Sequence, residues 1–377
     1  SAESLLASLQ LDEMGPAEIQ RRLGPIDYLD WASNGTMSLR VEWQQKAGEP
    51  GEFRAGLAVR DLAFDSPDGR YAAAGLALEM ETTILDFESP VKITGRLAAG
   101  ELLIDQFYRD FSDGGLDFGL RSQWPDGLDA VVFRAADDGA LSLAGKAALN
   151  ADGTLRSLRI DRLELMVPGA YTRYLEAPAG EWTLSGLEVT GRLAWQGEWS
   201  AGMLRSGDLR LEDLSVVDIT RDRFAVTGLA ADLRPGDHAF RSKLAWRGLL
   251  LGRVNLGAGE AWLDSRPDGI ALEQPLALRV LGGQLRLHEL NLSLPGEGRT
   301  EPGVVLRADL EAVDMEQLTR AFGWPVFGGV VSGRIPAVRL DGGVIRLDGE
   351  IQVDVFDGSL QLRDLAIERP FGVLPSL

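Results

Sequence analysis

The chain has 377 residues, of which 45% are hydrophobic and 25% charged, and this composition excludes disorder over most of its length. Acidic residues number 57 against 38 basic ones, and the resulting net charge of -19 repels phosphate backbones, so nucleic acid is excluded as a partner. The absence of cysteine excludes disulfides and cysteine-based metal sites.

The two ends of the chain resemble cut ends. It begins at Ser1 without a methionine and stops at Leu377 just after a strand pattern. It contains no apolar run of about 18 residues, the length that a membrane-spanning helix needs. We therefore expect a piece of a longer protein, truncated at both ends, with any membrane anchor outside this sequence.

Residues 1–35 have the only sustained helical pattern. Pro16 is suited to open a helix, and Ile19, Leu23 and Ile26 follow at helical spacing. The sequence predicts a short helical N-terminal segment over 1–35.

From Met37 onward, apolar and polar residues alternate with a period of two, which indicates half-buried strands. Tight-turn signals such as Asp138-Gly139 separate the runs and favour antiparallel pairing. We predict an antiparallel β region over 36–206 and a repeated β-sheet region over 207–377. Two short helices interrupt them, one at 171–175 and one at 315–322, and both are too short for parallel crossovers.

An eight-residue pattern, φxφxxφxφ with φ apolar, recurs along the chain. Its copies begin at Leu57, Leu158, Trp182, Leu209, Leu285 and Leu360. The extra residue in the middle predicts a β-bulge, and therefore a strand that curves. The last three copies are spaced 76 and 75 residues apart (209, 285 and 360), which suggests a long repeat.

The predicted fold class is therefore all-β with a few short helices: an elongated, curved antiparallel sheet of repeated strands that forms an apolar groove. We expect one continuous elongated body. The alternative is that the same apolar face is packed as a sandwich core.

Residues suited to catalysis are scarce. The only histidines are His238 and His288, and no nucleophile, phosphate-loop or zinc motif occurs. A carboxylate pair such as Asp137-Asp138 could serve a glycosidase, but aspartate before glycine is explained by turns. We predict a protein that is not an enzyme, with no catalytic, cofactor-binding or metal-binding residues and no cofactor. Nine tryptophans keep open a carbohydrate-binding or adhesive β-module, which requires them to cluster on one face.

The C-terminal fifth of the chain resembles a known family. A short helix with the pattern DxxxLTxxF is followed by GxxSGxIP and by a final FDG and PFG pair. The residues concerned are Asp314, Leu318, Thr319, Phe322, Gly329, Ser332, Gly333, Ile335, Pro336, Phe356, Asp357, Gly358, Leu365, Pro370, Phe371 and Gly372. This region is similar to that of the AsmA-like envelope proteins, the group that includes AsmA, TamB and YdbH.

The resemblance implies a periplasmic segment of a protein anchored in the inner membrane of Gram-negative bacteria. Its apolar β-groove would bind or conduct phospholipid, or another acyl lipid, between inner and outer membranes, in contact with envelope proteins at either membrane. On that hypothesis the apolar positions of the repeated strands contact lipid, whereas the sequence leaves open which face of each strand points inward. The candidates are Leu209, Leu211, Leu214, Val216, Leu285, Leu287, Leu290, Leu292, Leu360, Leu362, Leu365 and Ile367.

Overall fold

The computed structural model describes residues 4–23, 29–46, 49–85, 90–105, 107–123, 130–150, 154–176, 186–200, 203–235, 240–266, 268–293, 303–341, 344–348, 350–355, 358–363 and 366–368. The chain divides into two compact units, Ser1–Pro178 and Ala179–Leu377. Both consist of antiparallel strands with short helical pieces, which confirms the all-β fold class. The two units meet at residues 178 and 179, whereas the predicted division after residue 206 falls inside a strand (Met203–Asp218).

The first unit is an antiparallel meander. Its strands are β1 (Ser4–Met14), β2 (Ala32–Lys46), β3 (Glu52–Asp65), β4 (Tyr71–Ile84), β5 (Pro90–Ile104), β6 (Phe107–Asp110), β7 (Leu116–Gln123), β8 (Val131–Asp137), β9 (Leu141–Leu149) and β10 (Leu155–Val167). Each strand pairs with the next, except that β5 pairs with β6 at one end and with β7 along the rest.

The helical prediction for residues 1–35 is wrong in its first part. Helix α1 (Pro16–Leu23) begins at the predicted proline, and a 3-10 turn occupies Leu29–Trp31. Residues 4–14, however, form β1 and pair with β2. Strand β2 supplies the backbone partners that an isolated amphipathic segment lacks, so long-range pairing overrides the local pattern. The predicted helical piece at Tyr171–Leu175 is present as a π-helical turn.

The second unit contains sixteen strands in the part of the chain that is described. They are β11 (Leu187–Ser200), β12 (Met203–Asp218), β13 (Phe224–Leu233), β14 (Phe240–Trp246), β15 (Gly248–Leu251), β16 (Val254–Asn255), β17 (Gly259–Arg266), β18 (Gly269–Leu272), β19 (Leu276–Val280), β20 (Gly283–Ser293), β21 (Gly303–Asp314), β22 (Val330–Asp341), β23 (Val344–Asp348), β24 (Glu350–Val355), β25 (Gly358–Arg363) and β26 (Ala366–Glu368). Several of them are halves of one broken strand: β14 and β15 both pair with β13, and β23 and β24 both pair with β22.

Helix α2 (Met315–Phe322) has the predicted ends. The Asp314 carboxylate accepts hydrogen bonds from the amides of Glu316 and Gln317, and Gly323 ends the helix in the left-handed conformation. Beneath α2 lies the main core of this unit. Its buried residues are Ala231, Leu233, Trp246, Leu256, Ala261, Leu263, Leu278, Val280, Val313, Met315 and Val331.

The predicted bulges are present where they can be checked. Asp61 and Asp213, each in the middle pair of a φxφxxφxφ copy, adopt left-handed φ angles of 54° and 51°. In the copies that begin at Leu158 and Leu285, the register shifts at the same place. The copies at Trp182 and Leu360 fall partly outside the described residues.

Serine hydroxyls on neighbouring strands satisfy the backbone at three left-handed positions. The amides of Glu13, Gly228 and Ala312 donate to the Oγ atoms of Ser38, Ser215 and Ser332 at 3.1, 2.9 and 3.0 Å. Each bulge breaks the ladder at its own amide, so the serine supplies the missing acceptor.

The long repeat is confirmed only at the level of hairpins. Leu209 pairs with Leu233 and Leu211 with Ala231 in β12–β13, and Leu285–Leu310 and Leu287–Ala308 are equivalent in β20–β21. The rest of the repeat differs. Four ladder positions separate β12 from β20, whereas three, together with α2, separate β20 from β25.

Gly100 should tolerate no side chain. Its φ is +90°, and a Cβ would lie 2.4 Å from the backbone of Gly75 on the neighbouring strand. We expect Gly100→Ala to lower the free energy of unfolding by about 3 kcal/mol, because the left-handed strain of about 1 kcal/mol is joined by a backbone clash. Gly69→Ala is the control, since Gly69 has φ +69° and open space around it. Urea unfolding measures both, and equal losses would contradict the clash.

Candidate functional site

The first unit has a continuous apolar face built by strand register. One lateral row crosses nine strands. In order it is Leu11, Leu39, Leu57, Met80, Gly95, Phe118, Ala135, Leu143 and Leu163. A parallel row, two residues away on each strand and three on β10 because of its bulge, is Leu9, Val41, Ala55, Thr82, Ile93, Leu120, Phe133, Gly145 and Ile160. Directly opposed residues share a face, so both rows lie on the same side of the sheet.

These rows are not packed as a core. All nine residues of the first row are half-buried, and in the second Leu9 and Leu120 are exposed. The buried cluster of this unit, Ala73, Leu76 and Phe111, is small.

Sequence reasoning did not nominate this face, although its signal was present. The φxφxxφxφ copies at Leu57 and Leu158 lie on β3 and β10, and their first three apolar positions point to the same side as the rows. The sequence does not predict which residues are neighbours within a row, because those neighbours lie on different strands and depend on strand register.

In the second unit, the register settles which face the predicted residues share. Leu209 and Leu211 pair with Leu233 and Ala231, and beyond the bulge Leu214 pairs with Leu229. The bulge thus keeps apolar residues on one side rather than exchanging the faces. A second row is Leu278, Leu285, Leu310, Gly333, Val353 and Leu360.

The predicted lipid contacts fall into three groups. Leu209, Leu211 and Leu285 pack against the main core and Leu287 is only 8% exposed, so the packed-core alternative describes this part of the face. A second group is half-buried and lies outside that core. It consists of Leu214, Val216, Leu290 and Leu292. The third group is not described at the level of side chains. It consists of Leu360, Leu362 and Ile367 in β25 and β26, and of Leu365, which lies outside the described residues altogether.

The carboxylate of Asp137 belongs to a buried ionic cluster. Its side chain, 1% exposed, accepts hydrogen bonds from Arg109 (3.2 Å), from Arg173 and from the Tyr174 hydroxyl (2.5 Å). Asp113 pairs with the same two arginines at 2.7 and 2.9 Å. Partial burial acts to raise the pKa of Asp113, but hydrogen bonds from Arg173 and Arg109 outweigh it and leave that pKa below its usual value. The arrangement ties β6 and β8 to the π-helical turn.

Alkaline pH should weaken this cluster. Burial raises the pKa of Tyr174 to about 12, and the hydrogen bond and charge of Asp137 add to the effect. The folded state therefore holds the phenolic proton more tightly than the unfolded chain, so stability is fully present below pH 10 and falls between pH 10 and 12. Urea unfolding over this range should show a smaller loss for Tyr174→Phe than for wild type. Tyr71→Phe, at an exposed tyrosine, is the control, and equal slopes in all three proteins would contradict the assignment.

Other candidate groups have structural contacts. His288 lies at a bulge, exposed, with Nε2 2.8 Å from Asp309. Among the described residues, no three His, Cys, Asp or Glu side chains gather as a metal site would require. Several tryptophans cover glycines: Trp195 lies over Gly197 and Gly207, and Trp246 over Gly259. Phe322 and Trp324 form an exposed stacked pair at the end of α2.

No family model, curated protein or solved structure matches this chain. None of the helices in the described part of the chain has both the length and the apolar character of a membrane span.

Proposed function

We propose that this chain is a lipid-binding segment whose apolar sheet face holds the acyl chains of phospholipid. The observation that carries the proposal is the pair of lateral rows in the first unit, whose aliphatic and aromatic side chains are half-buried or exposed across nine strands. An exposed apolar face of this extent is unfavourable in water and marks an interaction surface. An acyl chain fits it, because each buried methylene contributes about 0.8 kcal/mol and requires no directional partner.

The cellular location and the transport role that we propose are based on the resemblance to AsmA-like proteins. On that basis the chain is a periplasmic segment of an AsmA-like protein, anchored in the inner membrane through residues outside this sequence, and it conducts phospholipid toward the outer membrane in contact with envelope proteins. In α2 and β22, matched motif residues have architectural contacts: Asp314 caps the helix and Ser332 accepts from a bulge amide. Both contacts stabilise the local backbone of this region.

The test is native mass spectrometry with lipid extraction on protein purified from Gram-negative bacteria without detergent. We expect co-purified phospholipid. A folded chain that carries no lipid and takes up none when phospholipid is added would overturn the proposal. If the folding of that lipid-free chain were stabilised by sugar, the carbohydrate-binding alternative would be favoured.

A further inference from the structure

Cationic side chains line up on the opposite, polar face of the first unit. Lys92 on β5 is directly opposite Arg121 on β7, and Lys146 on β9 is directly opposite Arg159 on β10. On β8, between these pairs, the position in line with them is Val132, and Arg134 lies two residues further along on the same face. Like charges directly opposite each other destabilise a sheet. Two such pairs on nearby strands therefore need an explanation.

The acids on this face do not neutralise the group. Arg159 pairs with Asp161 at 3.0 Å, and the neighbouring acid Asp117 is held by Arg96 at 2.8 Å. Lys92, Arg121, Arg134 and Lys146 form no ion pair with any acid among the described residues. We call these four residues the cationic strip. At physiological salt the screening length is about 8 Å, so the strip attracts anions locally despite the net charge of -19.

The backbone beneath the strip is shaped to receive Arg134. Gly119 is buried under the Arg134 side chain, and a Cβ there would lie 2.6 Å from Nε. A glycine at this position lets the guanidinium stem lie flat across β7. A depression of about 580 Å³ at this place is lined by Lys92, Arg121 and Arg134, but not by Lys146. Its lining also includes Asp161 and the apolar-row residues Ile93, Leu120 and Phe133, so three of the four cations border it together with apolar surface and one acid.

We propose that the cationic strip binds a phosphate group. Two guanidinium forks present paired N–H donors to phosphate oxygens, and two ammonium groups add charge, which is the donor set that phosphate prefers. The bound phosphate also removes the repulsion between the opposed cations. The phosphate is that of a lipid headgroup at a membrane surface or of a free phosphate compound. Because the strip lies on the face opposite the apolar rows, the inference does not depend on the lipid proposal.

The test compares wild type with Arg121→Gln/Arg134→Gln in two binding assays. One titrates inorganic phosphate by calorimetry, and the other sediments the protein with vesicles of phosphatidylglycerol or of phosphatidylcholine alone. We expect wild type to bind and the double variant to bind about tenfold more weakly or worse. Binding of free phosphate identifies a soluble compound, and binding only to phosphatidylglycerol vesicles identifies a headgroup.

Urea unfolding tests the same site if binding is too weak to measure directly. Removal of the repulsion should raise the urea midpoint of Arg121→Gln/Arg134→Gln in low salt, and phosphate should raise the midpoint of wild type alone. Arg40→Gln/Arg54→Gln is the matched control on the same face, because both arginines there have glutamate partners at 3.4 and 2.8 Å. Wild type that binds neither probe, or a double variant that binds as well as wild type, would overturn the proposal. A lipid-free wild type would leave this result unaffected.

Discussion

Protein that carries Leu39→Asp and Leu57→Asp should purify without the phospholipid that the wild-type chain retains. Leu39 and Leu57 are directly opposite each other in the first lateral row, and both are half-buried. Two carboxylates in this row remove apolar contact and would have to lose water beneath an acyl chain. Loss of two leucine contacts at about 1.5 kcal/mol or more each corresponds to roughly a hundredfold weaker binding or worse.

The control places the same charges on the same strands but on the polar face. Gln44→Asp/Ala58→Asp achieves this, since both positions alternate with the apolar rows on β2 and β3. We expect this control to retain lipid, as measured by native mass spectrometry and by phosphorus analysis of extracts. Lipid retained by a folded Leu39→Asp/Leu57→Asp protein, or lost equally from the control, would show that the rows do not bind it. Leu287 is a poorer site for this test, because it is buried and its replacement would also disturb the core.

Asp137→Ala should be the most destabilising single substitution in the ionic cluster. It removes the buried carboxylate that Arg109, whose side chain is 8% exposed, and Arg173 share, and leaves these arginines paired only with the more exposed Asp113. It also removes the acceptor of the Tyr174 hydroxyl. Removal of one partner from a buried ion pair costs about 3–5 kcal/mol, and we expect a loss at the lower end of this range because Asp113 still pairs with both arginines. Urea unfolding, with hydrogen exchange of peptides from β8 and β9, measures the loss in this unit.

Asp138→Ala is the neighbouring control. Asp138 is exposed, and its only contact with the cluster is its backbone carbonyl, which accepts from Arg173 and is kept by alanine. Its substitution should change the free energy of unfolding by about 0.5 kcal/mol or less. If Asp137→Ala and Asp138→Ala unfolded at the same urea concentration, the cluster would contribute no net stability.

Local features of this fold could be read from the sequence because their causes are local. Alternation with period two marks the strands, the doubled middle pair marks the bulge at Asp213, and the Asp314 and Gly323 caps delimit α2. The helical prediction is wrong at β1 because the strand is stabilised by pairing with β2, which follows later in the chain. The face of the sheet on which a leucine lies beyond the bulge depends on the left-handed backbone conformation at the bulge. A sequence pattern does not specify that conformation.

The candidate site depends more on register than on composition. Sequence repetition points to Leu209 and Leu285, which adjoin a buried core, while the more open apolar face lies in the first unit. Similarly, Asp137 gains its role from Arg109 and Arg173, which are 28 and 36 residues away in the chain. No spacing rule predicts such contacts, because they arise when strands and turns assemble.

The lateral rows give the first unit a form of translational symmetry. A step of one strand, about 4.8 Å, carries a bound group from one apolar side chain to the next in the same row. Where neighbouring residues in a row are alike, as Leu11, Leu39 and Leu57 are, they offer an acyl chain similar contacts. On the proposed function, an acyl chain held on this face would be able to move along the row in one dimension. Its net flux would then be set by the concentrations at the two ends of the row, without an energy source in the face itself.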